Sequence, residues 1–187
     1  MIRTKSARNA AKKMPGNDVR NITEFTEEIL AAWRLHNAIN LYLLGNISDK
    51  GLSAVPAGSR GRSVAHQFAH MARNRLSWSK YNDPNLAGSI PKFAKTTVPR
   101  RARLAALLRS SDKAVQKVLR RSLAEGGKVK SFNHSPVRWM CYLISHESHH
   151  RGQIMLALKQ SGLRLPEKLA LSGMWGTWIW GKERGAG

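Results

Sequence analysis

The chain has 187 residues, with 32 Lys+Arg against 11 Asp+Glu, giving a formal net charge of +21 and a pI near 11.3. A hydrophobic share of 42% supplies a core and excludes wholesale disorder. The single cysteine, Cys141, excludes a disulfide framework and a thiolate-cluster metal site, and no apolar run approaches the ~20 residues of a membrane span.

The charge is unevenly placed. Residues 1–20 carry a net +5 and residues 92–130 a net +10. The first of these has no apolar h-region, so it is not a secretory signal, and its composition fits a disordered basic tail better than a transit peptide. The expected location is the cytoplasm. The domain expectation is a tail over 1–20, a helical domain over 21–181 and a flexible terminus over 182–187.

In chain order, Thr23 or Thr26 can cap a first helix, with Glu27 and Glu28 in its first turn. Ile29, Leu30, Trp33, Leu41, Leu44 and Ile47 then recur near helical spacing, and the helix should end near Ser48, before a loop from Gly51 to Gly61. Ser63 can start a second helix with Val64, Phe68, Met71, Leu76 and Trp78 on its apolar side, followed by a loop to about Thr97. A third begins at Pro99 and carries a clean stripe of Leu104, Leu107, Leu108, Val115, Val118, Leu119 and Leu123, ending at Gly126-Gly127. Ser135-Pro136 is a cap and first-turn proline for a fourth, which Gly162 closes. The Trp- and Gly-rich segment Leu169 to Trp180 should pack back on the rest. Four long amphipathic helices without an alternating strand argue for an all-α bundle.

The chemistry concentrates in histidines. His66/His70 and His146/His150 are pairs four residues apart, a spacing that returns to nearly the same helix face and offers two imidazoles to one ion. A third ligand from a facing helix would give three neutral imidazoles with an open position, the arrangement of a catalytic zinc site. A pair of this spacing also arises by accident, and the residues alone leave both readings open. His146-Glu147-Ser148-His149-His150 also matches H-E-x-x-H, in which Glu147 would be the general base of a metalloprotease. The extended protease motif is missing: Gln153 stands where its glycine would be.

Three stretches together resemble the DinB-like (DinB/YfiT) family of metal-binding bacterial proteins. They are Trp33-Arg34-Leu35-His36-Asn37 with Ile39-Asn40, then Arg62-Ser63-Val64-Ala65 with Gln67-Phe68-Ala69-His70 and Arg75-Leu76, then Ser145 through Ile154 with its His-x-x-x-His-Arg-Gly-Gln element. The likeness covers roughly residues 22–181. It implies an up-down-down-up four-helix bundle holding one divalent metal through His70, His146 and His150. Zn²⁺ leads, and Ni²⁺, Fe²⁺ and Mn²⁺ also suit three imidazoles. His66 departs from the family pattern and reads as a group beside the site or an extra ligand. Related bundles include transferases and isomerases that use a low-molecular-weight thiol, which a metal would bind as thiolate. Activated water in the same pocket would make a hydrolase. The small-molecule substrate stays open.

Other candidates stand beside these ligands. Gln153 reaches either the pocket rim or a neighbouring helix. Glu147 accepts a proton, orients a ligand imidazole or forms an ion pair. Arg151 is a salt-bridge residue or an anion clamp, and His36 and Asn37 line the pocket or bond across helices. The basic face of the third helix, with Arg100, Arg101, Lys117, Arg120 and Arg121, is a solvated face or a nucleic-acid surface. The competing function is therefore a nucleic-acid-associated binding protein of damage-response type with a structural metal. A homodimer and nonspecific nucleic acid are the candidate macromolecular partners, and no membrane is expected.

Overall fold

The structure is a computed structural model that describes residues 16–58, 61–86, 88–94, 97–124, 126 and 128–180, with side chains from residue 21 onward. Most of the expected basic tail, and the terminus over 182–187, lie outside the described residues. The described residues form the α-helices α1 (Gly16–Asn46), α2 (Asp49–Leu52), α3 (Val64–Asn82), α4 (Arg101–Ala124) and α5 (Pro136–Gln160). A short 3₁₀ turn covers Phe132–His134, and a wide π-helical segment covers Lys168–Ile179. No strand is found among the described residues, and no helix there is long and apolar enough to cross a membrane.

Several expected caps are in place. The Ser63 hydroxyl accepts from the His66 amide at 3.4 Å and the Ser135 hydroxyl from the Arg138 amide at 3.2 Å, each satisfying an orphan donor at a helix start. Gly162, at φ +69°, ends α5 with bonds from its own amide to the Lys159 carbonyl and from the Leu163 amide to the Leu158 carbonyl. That is the Schellman arrangement, which needs a left-handed residue and hence favours glycine.

Two expectations need correction. α1 is already helical at Gly16, so neither Thr23 nor Thr26 is its cap. Thr costs a helix interior only ~0.7 kcal/mol against Ala, and the helix-favouring glutamates around it carry the coil through. Glu27 spends its charge on Arg120 and Arg34 rather than on a helix terminus. The loop expected from Gly51 contains part of the one-turn helix α2, which Ser48 caps by accepting from the Gly51 amide at 3.1 Å.

Cross-helix pairs fix the topology. Glu27 meets Arg120, Arg34 meets Gln116, and the Leu44 and Ile47 carbonyls meet Arg101, so α1 and α4 are antiparallel. Arg75 meets the Leu108 carbonyl while Asp83 meets Lys117 and Arg121, so α3 and α4 are parallel. Gln67 meets His150 and Asn74 meets His146, making α3 and α5 antiparallel. His36 meets Glu147 and Asn40 meets Arg151, making α1 and α5 parallel. The result is the up-down-down-up bundle. Because α3 and α4 run the same way, the segment from Asp83 to Arg100 must return the chain along a helix of 19 residues, about 28 Å.

The core falls into two apolar clusters. One gathers Leu43, Leu44, Val64, Phe68, Leu104, Leu108, Ile154 and Leu158, and the other Leu30, Trp33, Val115, Leu119, Trp139 and Leu143. Each fully buried large side chain contributes about 1.5–3 kcal/mol. Between the clusters lie His36, Asn37 and Asn40 of α1, Arg75 of α3 and Glu147 of α5, so a buried polar layer crosses the bundle at mid-height.

The π-helical segment packs on α1, with Trp178 against Tyr42 at 6.3 Å. Gly173 makes the approach close, since a Cβ there would collide with the Tyr42 ring. Leu171, Trp175, Ile179 and Trp180 remain exposed. Ahead of α5, four consecutive side-chain-bearing residues, Ser131, Phe132, Asn133 and His134, have φ between +50° and +64°. Left-handed backbone costs such residues on the order of 1–2 kcal/mol each.

Candidate metal centre

α3 and α5 face each other in antiparallel register, which puts His70 opposite His146 and His150. One ring nitrogen from each of the three lies within 4.8 Å of the others, and these histidines could hold a metal ion. His146 Nε2 and His70 Nε2 are 3.2 Å apart. Tetrahedral zinc at about 2.0–2.1 Å from nitrogen separates its ligands by about 3.3–3.4 Å, so this edge has ligand spacing. The rings stand at 73° and 78° to one another in the two pairs that involve His150, turned edge-on as converging donors are.

The nitrogens that face away from the cluster are held as well. His150 Nδ1 lies 3.2 Å from Gln67 Oε1, a buried acceptor, so Nδ1 carries the proton and Nε2 keeps its lone pair. The Asn74 amide reaches His146 Nδ1 at 3.3 Å. An Asn amide can turn its oxygen to that nitrogen, which selects the same tautomer.

Burial, followed by the positive charge of Arg62 and of neighbouring groups including His146, holds His70 at about 4, and burial with the neighbouring histidines holds His150 at about 4. His146 is lowered too, again chiefly by burial. All three imidazoles are therefore neutral near pH 7, the form that ligates a metal. His70 and His146 are only half-buried, so the cluster opens to solvent on one side. The donor set fits a divalent ion of the zinc type with a position left over.

Glu147, next in sequence to His146, points the other way. It is 0% exposed, and Arg75, also 0% exposed, grips it through Nε and Nη2 at 2.6 Å each. Asn40 Nδ2 donates to the same carboxylate at 2.7 Å and His36 Nε2 lies 2.8 Å from it. Three of these four bonds converge on Oε2, and Arg75 Nε takes Oε1. Burial alone would raise this carboxyl, but the charge and hydrogen bonds of Arg75, with those of His36, hold it well below the usual carboxylate range. A base at the cluster needs its carboxylate turned to the histidines, and Glu147 turns its own to Arg75, Asn40 and His36 instead. The zinc-protease arrangement of H-E-x-x-H therefore does not form on this helix.

His36 and Asn37 belong to the same buried layer rather than to a pocket wall. Asn37 Oδ1 accepts from Arg75 at 2.7 Å. Burial lowers the His36 pKa despite Glu147, so the ring is neutral, with Nε2–H donating to the carboxylate. Its Nδ1 then accepts, weakly, from Arg151 at 3.4 Å. Arg151 also donates to Asn40 Oδ1 at 3.0 Å and to Ser148 Oγ at 2.7 Å, so its partners here are neutral groups of the network rather than a carboxylate. His66 is outside the cluster: Nδ1 sits 2.7 Å from the Ser63 hydroxyl and Nε2 3.0 Å from the Ala94 carbonyl, so it ties the start of α3 to the crossover loop. Gln153 bonds His149 at 2.9 Å on the solvent side of α5.

Four of the five basic residues singled out on α4 have protein partners. Arg101 donates to the terminal α1 carbonyls of Leu44 at 2.7 Å and of Ile47, and to Asp49 at 2.6 Å. Lys117 and Arg121 flank Asp83, and Arg120 meets Glu27. Arg100 is exposed.

Arg75, Asn40, Gln67 and Asn74 are the residues whose roles composition and periodicity left unassigned. Arg75 looks like any helix arginine in sequence, and only the meeting of α1, α3 and α5 shows it buried on Glu147. Gln67 and Asn74 carried a readable signal: they lie three before and four after His70, on its face.

A family model described as the DinB family matches residues 19–183 of the chain. Among curated proteins no match is found.

Proposed function

This chain belongs to the DinB family, and from that premise we propose that it is a metal-dependent transferase acting with a low-molecular-weight thiol. His70, His146 and His150 hold the ion, with Zn²⁺ first among the candidates. The observation that carries this reading is the convergence of three neutral imidazoles from two helices beside a half-open face. When bound, the metal lowers the pKa of a thiol or water that coordinates it.

The chain's own residues do the rest. The three histidines bring no negative charge, so the ion's full charge acts on whatever takes the open position. Gln67 and Asn74 keep the ligand rings oriented through their distal nitrogens. Arg75 and Glu147 hold α5 against α3 at the height of the ligands. With the Glu147 carboxylate spent in the core, the nucleophile is one that the metal itself deprotonates, and we take a thiol as that nucleophile.

The test is spectroscopic. Cobalt-loaded full-length protein treated with N-acetylcysteine should gain a sulfur-to-metal charge-transfer band, and its visible spectrum should shift. If the thiol changes nothing while p-nitrophenyl acetate is cleaved in proportion to metal content, and cleavage is lost in His146→Ala, the hydrolase reading replaces this one.

A further inference from the structure

Past the histidines, α3 and α5 run on toward the turn that precedes α5. One helical turn before His146 stands Tyr142, whose ring stacks on the imidazole at 5.9 Å and 30°. Phe132 lies 5.1 Å from Tyr142 and 4.8 Å from Trp78, and Trp78 lies 5.9 Å from Tyr142. Trp78 follows His70 by two turns of α3, so these ring contacts extend away from the candidate ligands along α3 and α5. Trp78, Phe132 and Tyr142 are each half-buried, so part of each ring faces solvent.

A second observation concerns how Phe132 arrives there. It is carried by the left-handed turn Ser131–His134, whose four residues all bear side chains. A connector between α4 and α5 needs no such backbone, and glycines would relieve it. The turn is nonetheless pinned. The Lys130 amide donates to Asn82 Oδ1 at 2.7 Å, and Asn82 donates in turn to the Trp78 carbonyl at 2.9 Å. The His134 and Ser135 amides close onto the Ser131 and Phe132 carbonyls at 2.8 and 3.1 Å. The strained backbone thus holds the Phe132 ring against Trp78 and Tyr142, two ring contacts from His146.

We propose that Trp78, Phe132 and Tyr142 form a subsite for the aromatic part of a substrate whose polar end reaches the metal. The face and edge of such rings favour a planar aromatic group in offset or edge-on contact. The preferred substrates are accordingly aryl compounds carrying a metal-binding function. This rests on the three-histidine metal reading above.

The probes are benzohydroxamate and acetohydroxamate, which offer the metal the same chelating group and differ in phenyl against methyl. Metal content of the full-length protein is measured first, then binding of each probe by calorimetry. Benzohydroxamate should bind about tenfold more tightly. Phe132→Ala and Tyr142→Leu should each cut that ratio below about threefold, with metal content and acetohydroxamate affinity unchanged, while Phe132→Tyr keeps the ratio. A ratio near one in the metal-loaded parent overturns the subsite and leaves the metal centre standing. So does a tenfold ratio that survives both ring deletions. Should one variant fail to fold, the parent ratio and the other variant still decide. A parent that takes up no metal and binds neither probe removes the metal centre, and the subsite with it.

Discussion

Two polar clusters share the middle of α5 and differ in how completely their hydrogen bonding is closed. On one side Glu147 is wholly buried and accepts four hydrogen bonds from Arg75, Asn40 and His36. On the other side His146 and His150 meet His70 with one nitrogen of each ring pointed at the others and the cluster half-open. The first region is finished: every charge has its partner, and adding a ligand would break bonds already made. The second gathers ring nitrogens that face one another, with His146 Nε2 3.2 Å from His70 Nε2. Burial and perturbed ionisation occur in both, so neither marks function by itself. What sets the second apart is the convergence of three ring nitrogens on a half-open face, and residues 146 and 147 separate the two cases by one step along the helix.

That comparison can be broken most forcefully from the buried side. Arg75→Met or Glu147→Leu alone should destabilise the fold by about 3–5 kcal/mol in urea unfolding, because each leaves a buried charge without its partner. The double variant should be more stable than either single one, although Asn37, Asn40 and His36 then lose partners of their own. A loss in the double variant equal to the sum of the two single losses would mean the pair is not coupled. Next in size, His146→Ala should abolish metal binding while changing the stability of metal-free protein by under about 1 kcal/mol, as expected for a half-exposed side chain.

A third effect depends on pH. His70 and His150 sit at about 4 in the fold, below the ~6.5 of an unfolded chain, so unfolding takes up protons. Their contribution to the stability of metal-free protein is full above pH 6.5 and is lost as pH falls toward 4. The urea midpoint should decline across that window, and His70→Ala should flatten the decline. A midpoint independent of pH in both proteins would contradict the burial assigned to these rings. The smallest effects belong to the α4 surface. Arg120→Gln breaks an exposed pair with Glu27 and should move the unfolding midpoint less than any histidine variant, with metal content unchanged. If instead it strips the metal, the separation of the basic face from the histidines is wrong.

Local signals were well displayed in the sequence. Ser63, Ser135, Pro136 and Gly162 act where propensity and capping chemistry put them, and the apolar stripes of α3, α4 and α5 became the two core clusters. The start of α1 was not legible, since Thr23 and Thr26 look like caps yet are tolerated inside a helix. The metal cluster was half legible: i, i+4 spacing aligned His146 with His150, but only the antiparallel meeting of α3 and α5 brings His70 to them. Arg75 was illegible from composition or periodicity, because burying an arginine depends on partners from three other elements. The left-handed turn at Ser131–His134 carried no glycine to announce it, its geometry being held by Asn82 and the ring contacts.

His70, His146 and His150 could together hold one metal ion. The direct measurement is a cobalt titration of the full-length protein beside His70→Ala, His146→Ala and His150→Ala, followed by visible absorption and metal content after desalting. One equivalent per chain, with a low-coordinate spectrum that each substitution removes, is the predicted result. A parent that retains no metal, or variants that retain it as well as the parent does, would contradict it.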